Sequence, residues 1–245
     1  LNLCMPLKGK ADSKDSWPLF HRLQRLTQAP FSAYLQFGEY RIMSGSPERF
    51  LQKEGGRIIS QPIKGTVRRG CTAEEDTALA LALKSSEKER AENIMIVDLV
   101  RNDLSRVAEK TTVAVTELCK VYSYETVHQM VSTIECRLSP GKQLSDILHA
   151  TFPMGSMTGA PKVAAMKHID QIEVEGRCIY SGSVGYISPS GDFDFNVLIR
   201  SLFHNAKTED LMSNVGGAIT SLSDAEQEYE ECQLKAEAIF TTIKK

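Results

Sequence analysis

The sequence lacks an excess of charge of either sign and lacks a long apolar run, and each absence excludes a class of protein. Lysine and arginine together number 29 against 31 acidic residues, so the formal net charge is only −2. A nearly neutral chain has no overall field that attracts nucleic acid or anionic lipid, so we predict neither as a partner. No apolar stretch approaches the roughly 18 residues of a membrane-spanning helix. Any anionic ligand must therefore be held by a few local positive charges.

The sequence also lacks paired cysteines. Its six cysteines are scattered, without a CxxC motif that would indicate a zinc site or a redox centre. They do not resemble the closely spaced framework of a small secreted domain either. Reduced thiols in the cytoplasm are the simplest interpretation, and we predict a cytoplasmic protein. The cysteines are Cys4, Cys71, Cys119, Cys136, Cys178 and Cys232.

Two further absences concern the N-terminus and nucleotide binding. The chain begins at Leu1 without a methionine and continues directly into a strand-like stretch, so we expect that an N-terminal portion precedes it. The segment from Gly155 to Lys162 resembles an anion-binding turn at the start of a helix. It does not have the G-x-x-x-x-G-K spacing of a phosphate loop, so the sequence gives little support to a nucleotide site.

Alternating apolar residues between turn signals predict antiparallel strands from Phe31 to Arg57. A capping box at Thr72 and Glu75 predicts a helix to about Glu92, and the apolar run 94–100 predicts a buried strand. Separate runs of strands and helices indicate an α+β fold with mostly antiparallel sheets, in one domain covering residues 1–245. The other predicted elements are a polar loop over 6–17, helices over 19–26, 144–150 and 161–172, strands over 113–115, 128–138 and 211–220, a hairpin of 183–187 with 193–203, and a last helix from a capping box at Ser223 and Glu226 to about Ile243.

Lys64 is the first candidate functional residue. It lies between Pro62, which stiffens the backbone, and Gly65, which permits close approach of a ligand. A partly desolvated lysine has a lowered pKa, and its free amine is then a nucleophile. An ordinary loop lysine that extends to water is the alternative interpretation.

The last predicted helix contains a second candidate group. Glu228, Glu231 and Lys235 are spaced by three and four residues, so they lie on one helical face. Two carboxylates one turn apart can share a divalent cation, and a nearby ammonium group can bind a ligand carboxylate. The alternative is a solvated polar stripe, since other glutamates also lie along this helix.

Three further positions have both a functional and a purely structural interpretation. Glu92 comes immediately before an apolar run and could reach a cation site, although a lone acid is more often a surface residue. Gly216 and Gly217 end a strand, where free backbone N–H groups could approach a carboxylate or where the chain could simply bend. Arg200 ends another predicted strand and is suited to bidentate binding of a carboxylate.

Taken in order, these segments resemble the chorismate-utilising enzymes, which include anthranilate, aminodeoxychorismate and isochorismate synthases. The resemblance covers essentially the whole chain from Asn2 and implies two stacked, mostly antiparallel sheets flanked by helices, without the N-terminal part. The lysine at position 64 is similar to that of aminodeoxychorismate synthase large subunits, whereas anthranilate synthases usually have alanine there. The matching stretches are 46–50, 62–66, 91–93 with 98–103, 128–132, 152–162, 182–186, 199–200, 216–217 and the Glu228, Glu231 and Lys235 helix.

The resemblance implies a role for each candidate residue. Lys64 would attack C2 of chorismate, with Glu48 as the general acid for the departing C4 hydroxyl and His128 near the ring. Magnesium held by Glu92, Glu228 and Glu231 would bind the ring carboxylate. The remaining substrate-binding positions are Thr66, Tyr180, Arg200, Gly216, Gly217 and Lys235. For His128, a hydrogen-bonded core histidine is the alternative interpretation.

The reaction implied is amination of chorismate to 4-amino-4-deoxychorismate for 4-aminobenzoate and folate synthesis. Ammonia would come from a separate glutamine amidotransferase subunit, because the sequence shows no cysteine, histidine and glutamate arrangement for releasing it. Anthranilate synthase and isochorismate synthase activities are the enzymatic alternatives. A non-catalytic chorismate-binding subunit is another alternative, against which the intact set of candidate residues argues.

Overall fold

Antiparallel pairing of strands builds two sheets, as the alternating sequence pattern predicts. The computed structural model describes residues 1–11, 16–221 and 223–244. One sheet has five strands in the order β1-β12-β11-β3-β2, and the other has seven, with β6-β8-β5-β4-β10-β9 in order and β7 paired to β8. The strands are β1 (Asn2–Lys10), β2 (Phe31–Phe37), β3 (Tyr40–Ser46), β4 (Arg49–Glu54), β5 (Arg57–Gln61), β6 (Ile63–Arg68), β7 (Ala114–Ser123), β8 (Val127–Arg137), β9 (Gly185–Ile187), β10 (Phe193–Asn196), β11 (Ser201–Asn205) and β12 (Asp210–Ala218).

Six α-helices accompany the sheets in the described residues, together with one short 3-10 helix, Gly155–Met157. The helices are α1 (Trp17–Thr27), α2 (Ala73–Ser85), α3 (Glu87–Ser105), α4 (Leu144–Thr151), α5 (Lys162–Ile172) and α6 (Ala225–Ile243). Separate strand and helix runs confirm the predicted α+β class with antiparallel sheets.

The chain divides into two compact units. The five-stranded unit comprises Leu1–Pro47, Lys167–Val184 and Asn196–Lys245, and the seven-stranded unit comprises Glu48–Met166 and Gly185–Phe195. That both units act as one catalytic domain, as the sequence suggests, stays a prediction.

Helices α1 and α6 cover one face of the five-stranded sheet. Their apolar residues, including Leu23 and Ile239, pack on strand residues such as Met43 and Val215 to form one buried cluster. The apolar positions recur at helical spacing on α1 and alternate on the strands, so each element contributes one face to the core. This packing fixes α6 beside β12, which contains Gly216 and Gly217.

In the seven-stranded unit, α2 and α3 pack on strands β6, β7 and β8. Leu83 of α2 joins Cys119 and Met130 in a buried cluster between helix and sheet. Both helices begin at a side-chain cap: Thr72 accepts from the backbone N–H of Glu75, and Ser86 accepts from that of Glu89. The predicted cap at Thr72 is therefore confirmed, but its helix ends at Ser85 and a second helix starts directly after Ser86.

The predicted buried strand over 94–100 is wrong, because these residues lie within α3. Helix α3 as a whole is amphipathic at helical period: Ile96, Val100 and Leu104 are buried, while Ile94 is 43% exposed. A short apolar run has no periodicity that distinguishes a buried strand from a helix. The Ser86 cap and the length of 19 residues distinguish α3 as a helix.

Other predicted boundaries also change, and the predicted strand over 113–115 is the ten-residue strand β7. The predicted strand 193–203 is two strands, β10 and β11, which belong to different sheets and are separated by residues 197–200. The last helix is capped by Asp224, which accepts from Glu226 and Gln227 N–H groups, rather than by Ser223. Residues 6–10 of the predicted loop 6–17 belong to strand β1, Trp17 begins α1, and residues 12–15 of that loop lie outside the described part of the chain.

Candidate functional site

Lys64 lies at an irregularity in strand β6. The pairing of β6 with β8 shifts register between Ile63 and Thr66, so Lys64 and Gly65 form the irregular segment. Such bulges bend a strand and redirect a side chain, and they are frequent next to active sites. The backbone is held on its N-terminal side by a hydrogen bond from Ser132 N–H to the Pro62 carbonyl, of 3.2 Å. The strand thus presents Lys64 from a fixed backbone, whereas Thr66 beside it is exposed.

Gly65 is required at this position for two reasons. Its φ is +82°, which L side chains rarely adopt, and a Cβ there would lie 2.9 Å from Leu83 Cδ1 and 3.0 Å from Glu89 Oε2. The glycine therefore lets β6 approach α2 and α3 closely. The structure thus gives Gly65 a packing role against α2 and α3, and the predicted close approach of a ligand at Gly65 stays a prediction.

Ser156 connects Lys64 with Glu48. The Nζ of Lys64 donates to the Ser156 carbonyl at 3.4 Å, and the Ser156 side chain hydrogen-bonds the Glu48 carboxylate. Glu48 lies immediately before β4, and Ser156 is the middle residue of the 3-10 helix. The structure therefore brings two of the predicted catalytic residues to one neighbour. The sequence does not predict this role of Ser156, although it predicts an anion-binding turn in the segment that contains it.

Burial raises the pKa of Glu48 to about 7, while the Ser156 hydrogen bond and the positive charge of Lys64 oppose the increase. Only 5% of the residue is exposed. Removal of a carboxylate from water disfavours its charged form, which is the dominant effect here. A carboxyl with a pKa near 7 can donate a proton in neutral solution, as a general acid must.

The 3-10 helix that positions Ser156 is itself fixed by packing and by an ion pair. Gly155 packs so closely on α3 that a Cβ would lie 2.9 Å from Leu99 Cδ2. Just after the 3-10 helix, Lys162 Nζ binds Asp103 Oδ2 at 2.5 Å and the Thr151 carbonyl at 3.1 Å. The lysine that completes the predicted anion-binding turn is thus engaged by a buried carboxylate. Anion binding by this turn stays a prediction.

His128 is a buried histidine with both ring nitrogens hydrogen-bonded. Its Nδ1 lies 2.8 Å from Ser123 Oγ, and its Nε2 lies 2.9 Å from Asp76 Oδ1. Asp76 also accepts two bonds from Arg69, and this contact lowers the pKa of its carboxyl further than any other. An ionised Asp76 favours the proton on Nε2 of His128. These contacts match the core-histidine interpretation, and a catalytic role for His128 stays a prediction.

Glu92 lies in the middle of α3 rather than at a helix end, and it is buried. The next residue, Asn93, is fully buried and holds β7 and β8 together: its Oδ1 accepts from Ser132 Oγ, which in turn accepts from Cys119 N–H. The surface interpretation of Glu92 is therefore wrong. The buried position of Glu92 does not test its role as a magnesium ligand, which stays a prediction.

In the five-stranded unit, the three predicted residues of α6 lie against the end of β12. Lys235 Nζ binds Glu231 Oε1 at 2.5 Å and donates to the Gly216 carbonyl at 3.0 Å. Glu228 is 5% exposed, so the interpretation of this face as a solvated stripe does not hold for it. The predicted face is therefore a built cluster of two carboxylates and one ammonium group beside the strand end.

The two adjacent glycines of β12 serve different contacts. A Cβ on Gly216 would lie 2.1 Å from the Leu3 carbonyl oxygen, so this glycine permits pairing with β1. A Cβ on Gly217 would lie 3.3 Å from Glu228 Oε2 and 3.8 Å from Lys235 Nζ. Gly217 therefore faces the charged side chains of α6, whereas the absence of a side chain at Gly216 is needed for the pairing of β12 with β1.

Arg200 has an unusual backbone conformation and partly buried surroundings. Its φ is +51°, and its carbonyl accepts from Gly45 N–H at 3.0 Å, just before β11 begins. Burial lowers the pKa of its guanidinium group, opposed by the charges of Tyr180 and Glu231, but an arginine in a protein stays charged. Burial raises the pKa of Tyr180 far above its usual range, so this residue keeps its hydroxyl proton. Both side chains can bind an anionic ligand.

The carboxylates of α6 fit magnesium chemically. Mg²⁺ usually takes one or two protein carboxylates and completes its shell with water and substrate oxygens. Glu228 and Glu231 provide two such groups one turn apart. Among the residues that the structure describes, no three acidic, histidine or cysteine side chains are grouped as a complete metal site. The predicted set of Glu92, Glu228 and Glu231 is thus a proposal, and Mg²⁺ as the cofactor is too.

Two general expectations can also be compared with the structure. Each of the six cysteines is a free thiol. Over the described ranges 1–11, 16–221 and 223–244, no helix is long and apolar enough to cross a membrane.

Comparison with known proteins gives a consistent result over nearly the whole chain. Residues 1–241 match the family described as chorismate binding enzyme. Aminodeoxychorismate synthase of Streptomyces griseus is 45% identical over 243 residues, which cover 98% of this chain and 33% of that protein. Aminodeoxychorismate synthase component 1 of Escherichia coli (strain K12) is 43% identical over 233 residues, covering 95% of this chain and 51% of that protein.

The fold is also found in a solved structure. Anthranilate synthase component I from Streptococcus pneumoniae TIGR4 superposes with a TM-score of 0.85 at 34% identity, covering 96% of this chain and 52% of that one. The chain spans from about a third to about half of the length of these relatives.

Proposed function

The chain belongs to the chorismate-binding enzymes. We propose that it forms a catalytic part of an aminodeoxychorismate synthase. The family that the ordered sequence blocks resemble is thereby confirmed. The proposed reaction converts chorismate and ammonia to 4-amino-4-deoxychorismate, the precursor of 4-aminobenzoate. Two of the similar proteins carry this name at 43% and 45% identity.

The observation that carries the proposal is the pairing of Lys64 with Glu48 through Ser156. The nucleophile must be a neutral amine, and the general acid must be a protonated carboxyl. Transfer of one proton from the Lys64 ammonium group to the Glu48 carboxylate produces both reactive forms at once. The raised pKa of Glu48 lowers the free energy that this transfer requires.

The proposed chemistry has two displacements. The Lys64 amine bonds to C2 of chorismate, the two ring double bonds shift to C1–C6 and C4–C5, and the C4 hydroxyl leaves as water with the proton of Glu48. Ammonia then bonds to C4, both double bonds shift back, and the C2–N bond breaks to release the neutral Lys64 amine, while the Glu48 carboxylate takes a proton from the new ammonium group. Covalent catalysis of this kind divides one difficult substitution into two easier ones. General acid assistance is typically worth about 10²- to 10⁴-fold in rate.

Residues of the five-stranded unit are proposed to recognise the carboxylates of chorismate. Arg200 provides a charged planar donor fork, with the neutral Tyr180 hydroxyl as a further donor. Lys235 and the backbone at Gly217 are proposed to bind the ring carboxylate end. Magnesium, when bound by Glu228, Glu231 and Glu92, would neutralise that carboxylate.

We propose that ammonia is supplied by a separate glutamine amidotransferase subunit. The word component in the name of the Escherichia coli relative is consistent with an assembly of this kind. A cytoplasmic location is also proposed, since six free thiols are typical of a reducing compartment.

Anthranilate synthase activity is the second candidate, because a solved structure of that name is 34% identical to this chain. The Lys64 and Glu48 pair favours the first candidate, since a lysine nucleophile serves substitution at C4. A chorismate-binding subunit without catalytic activity would not require the buried Glu48 carboxyl near Lys64.

One experiment separates these functions. The full-length protein is incubated with chorismate, magnesium and ammonium, and the product is identified by mass and by coupling to a lyase that releases 4-aminobenzoate. We expect 4-amino-4-deoxychorismate. Formation of anthranilate or isochorismate, or no conversion of chorismate, would contradict the proposal.

A further inference from the structure

Arg49 makes a convergent set of hydrogen bonds that the proposed chemistry does not use. Its Nε and Nη2 donate to Asp194 Oδ1 and Oδ2 at 2.9 and 3.0 Å, a bidentate pair, and its Nη1 donates to Gln61 Oε1 at 2.5 Å. The side chains of Arg49 and Asp194 are only 23% and 13% exposed. Bidentate pairs fix orientation as well as distance, so Arg49 links β4, β5 and β10 rigidly.

The position of this link in the sheet is the main observation. Arg49 and Gln61 are the last partners of the β4–β5 ladder, next to a register shift between Arg49 and Gln52. Beyond this rung the two chains separate, one into Glu48 and the other through Pro62 toward Lys64. Both proposed catalytic residues therefore lie just beyond this end of the β4–β5 ladder, within three residues of the Arg49–Gln61 pair: Glu48 immediately before β4, and Lys64 in β6.

The hydrogen bonds continue across the sheet from this rung. Gln61 Nε2 donates to Thr133 Oγ1 at 3.2 Å, and Thr133 Oγ1 donates to Glu117 Oε2 at 3.0 Å. Glu117 also accepts from the Tyr122 hydroxyl at 2.6 Å. The rung is thus anchored to β8 and β7 as well as to β10. A partly buried polar network in which the members satisfy one another holds its residues in one arrangement.

We infer that Arg49 is a positioning residue, which holds the Glu48 and Lys64 segments at their mutual spacing through its fork to Asp194 and Gln61. The inference rests on the proposed function for its kinetic consequences. A misplacement of about 1 Å between reacting groups can cost about 10²-fold in rate. A purely structural ion pair would instead affect stability without a specific effect on either residue.

The chain offers a matched control for this ion pair. Lys53 Nζ binds Asp192 Oδ1 at 3.0 Å and joins the far end of β4 to the turn of the β9–β10 hairpin. This pair links the same strand and hairpin but lies away from the rung. Arg49→Lys keeps the charge and removes the fork, and Asp194→Asn removes the charge and keeps one oxygen. Lys53→Gln and Asp192→Asn are the corresponding control variants.

The test compares these four variants of the full-length protein with chorismate, magnesium and ammonium. We expect Arg49→Lys and Asp194→Asn to lower kcat by about 10- to 100-fold with KM for chorismate within about threefold, and to move the rising limb of the kcat–pH profile near pH 7. Lys53→Gln and Asp192→Asn should leave kcat, KM and the pH profile within about twofold of the unaltered protein. Equal losses in both pairs of variants, or unchanged kcat in the Arg49 and Asp194 variants, would overturn the inference.

A second measurement does not depend on the reaction. Pulse labelling with acetic anhydride, followed by peptide mass analysis, gives the pH dependence of Lys64 acylation in each folded variant. We expect this dependence to shift in Arg49→Lys and Asp194→Asn and to stay unchanged in the Lys53 and Asp192 variants. If the unaltered protein makes no 4-amino-4-deoxychorismate, the proposed function fails and the labelling result alone decides the inference. An unshifted Lys64 profile in Arg49→Lys and Asp194→Asn would then refute it.

Discussion

Glu48 and Lys64 meet at one residue, Ser156, whose side chain binds the carboxylate and whose carbonyl accepts from the ammonium group. The two residues are 16 positions apart in the sequence and leave the same end of the β4–β5 ladder. This arrangement places a proton donor and an amine in one partly buried environment. The proposed exchange of a proton between them makes the pH dependence of the enzyme informative.

The first prediction concerns the rate near neutral pH. The reactive pair, a neutral Lys64 amine and a protonated Glu48 carboxyl, carries one proton in total, whereas both groups are protonated at low pH. Because the pKa of Glu48 is about 7, kcat/KM should rise as the pH rises through about 7 and the pair loses its second proton. Glu48→Gln should lose about 10²- to 10⁴-fold in kcat and should lose this rising limb. The measurement is the pH–rate profile of both proteins with saturating ammonia. A rising limb near pH 7 that persists in Glu48→Gln would assign it to another group.

The second prediction concerns stability and carries the opposite sign. Glu48 has a raised pKa in the folded protein, so the folded state is fully stabilised only below the unfolded pKa of about 4.5 and loses stability as pH rises toward 7. The difference of roughly 2.5 units corresponds to about 3 kcal/mol.

Glu48→Gln removes this titration. Its free energy of unfolding should therefore rise relative to the unaltered protein between pH 4.5 and 8, by up to about 3 kcal/mol. Urea unfolding at several pH values measures the difference, with Glu54→Gln, at an exposed residue of the following strand β4, as control. A difference between the two proteins that is constant with pH would show that Glu48 ionises normally.

The third prediction tests the irregular segment of β6. Gly65→Ala places a Cβ at φ +82° and within 3.0 Å of Leu83 and Glu89, so it should destabilise the protein by about 1 to 3 kcal/mol and displace Lys64. Gly55→Ala is the matched control, since its φ is also positive but a Cβ meets nothing within 4 Å. Thermal unfolding and kcat are measured for both. Equal effects of the two substitutions would show that contact of the new Cβ with Leu83 and Glu89 is not the cause of the destabilisation.

The fourth prediction concerns magnesium. If Glu231 is a ligand, Glu231→Gln should raise the magnesium concentration for half-maximal activity by about tenfold or more, since a carboxylate oxygen is lost. Glu230→Gln, on the exposed face of the same helix, is the control. Magnesium titrations of both variants that coincide with that of the unaltered protein would rule out the ligand role.

Much of this site could be predicted from the sequence because its residues lie in short segments with local signals. The Pro62 to Gly65 stretch and the i, i+3, i+7 spacing on α6 are readable without a structure. The bridging role of Ser156 was not predictable, because it depends on the packing of Gly155 against Leu99, far away in the sequence. The Arg49 link was missed for the same reason, since Asp194 is 145 residues distant.

The wrong strand over 94–100 has a different origin. An apolar run interrupted by one acid looks like a buried strand, and only the cap at Ser86 and the burial of every third or fourth residue show a helix. That error also changed the interpretation of Glu92, which is an interior residue of α3 rather than a helix end.

The most direct test of the central claim, that Lys64 is the nucleophile, is a search for its covalent adduct. The full-length protein is mixed with chorismate and magnesium without ammonia, quenched rapidly with acid and digested for mass analysis. We predict that the peptide containing Lys64 gains the mass of chorismate less one water, and that Lys64→Ala shows no adduct and loses amination while still binding chorismate. Undiminished formation of 4-amino-4-deoxychorismate by Lys64→Ala, with no adduct in the unaltered protein, would contradict the account.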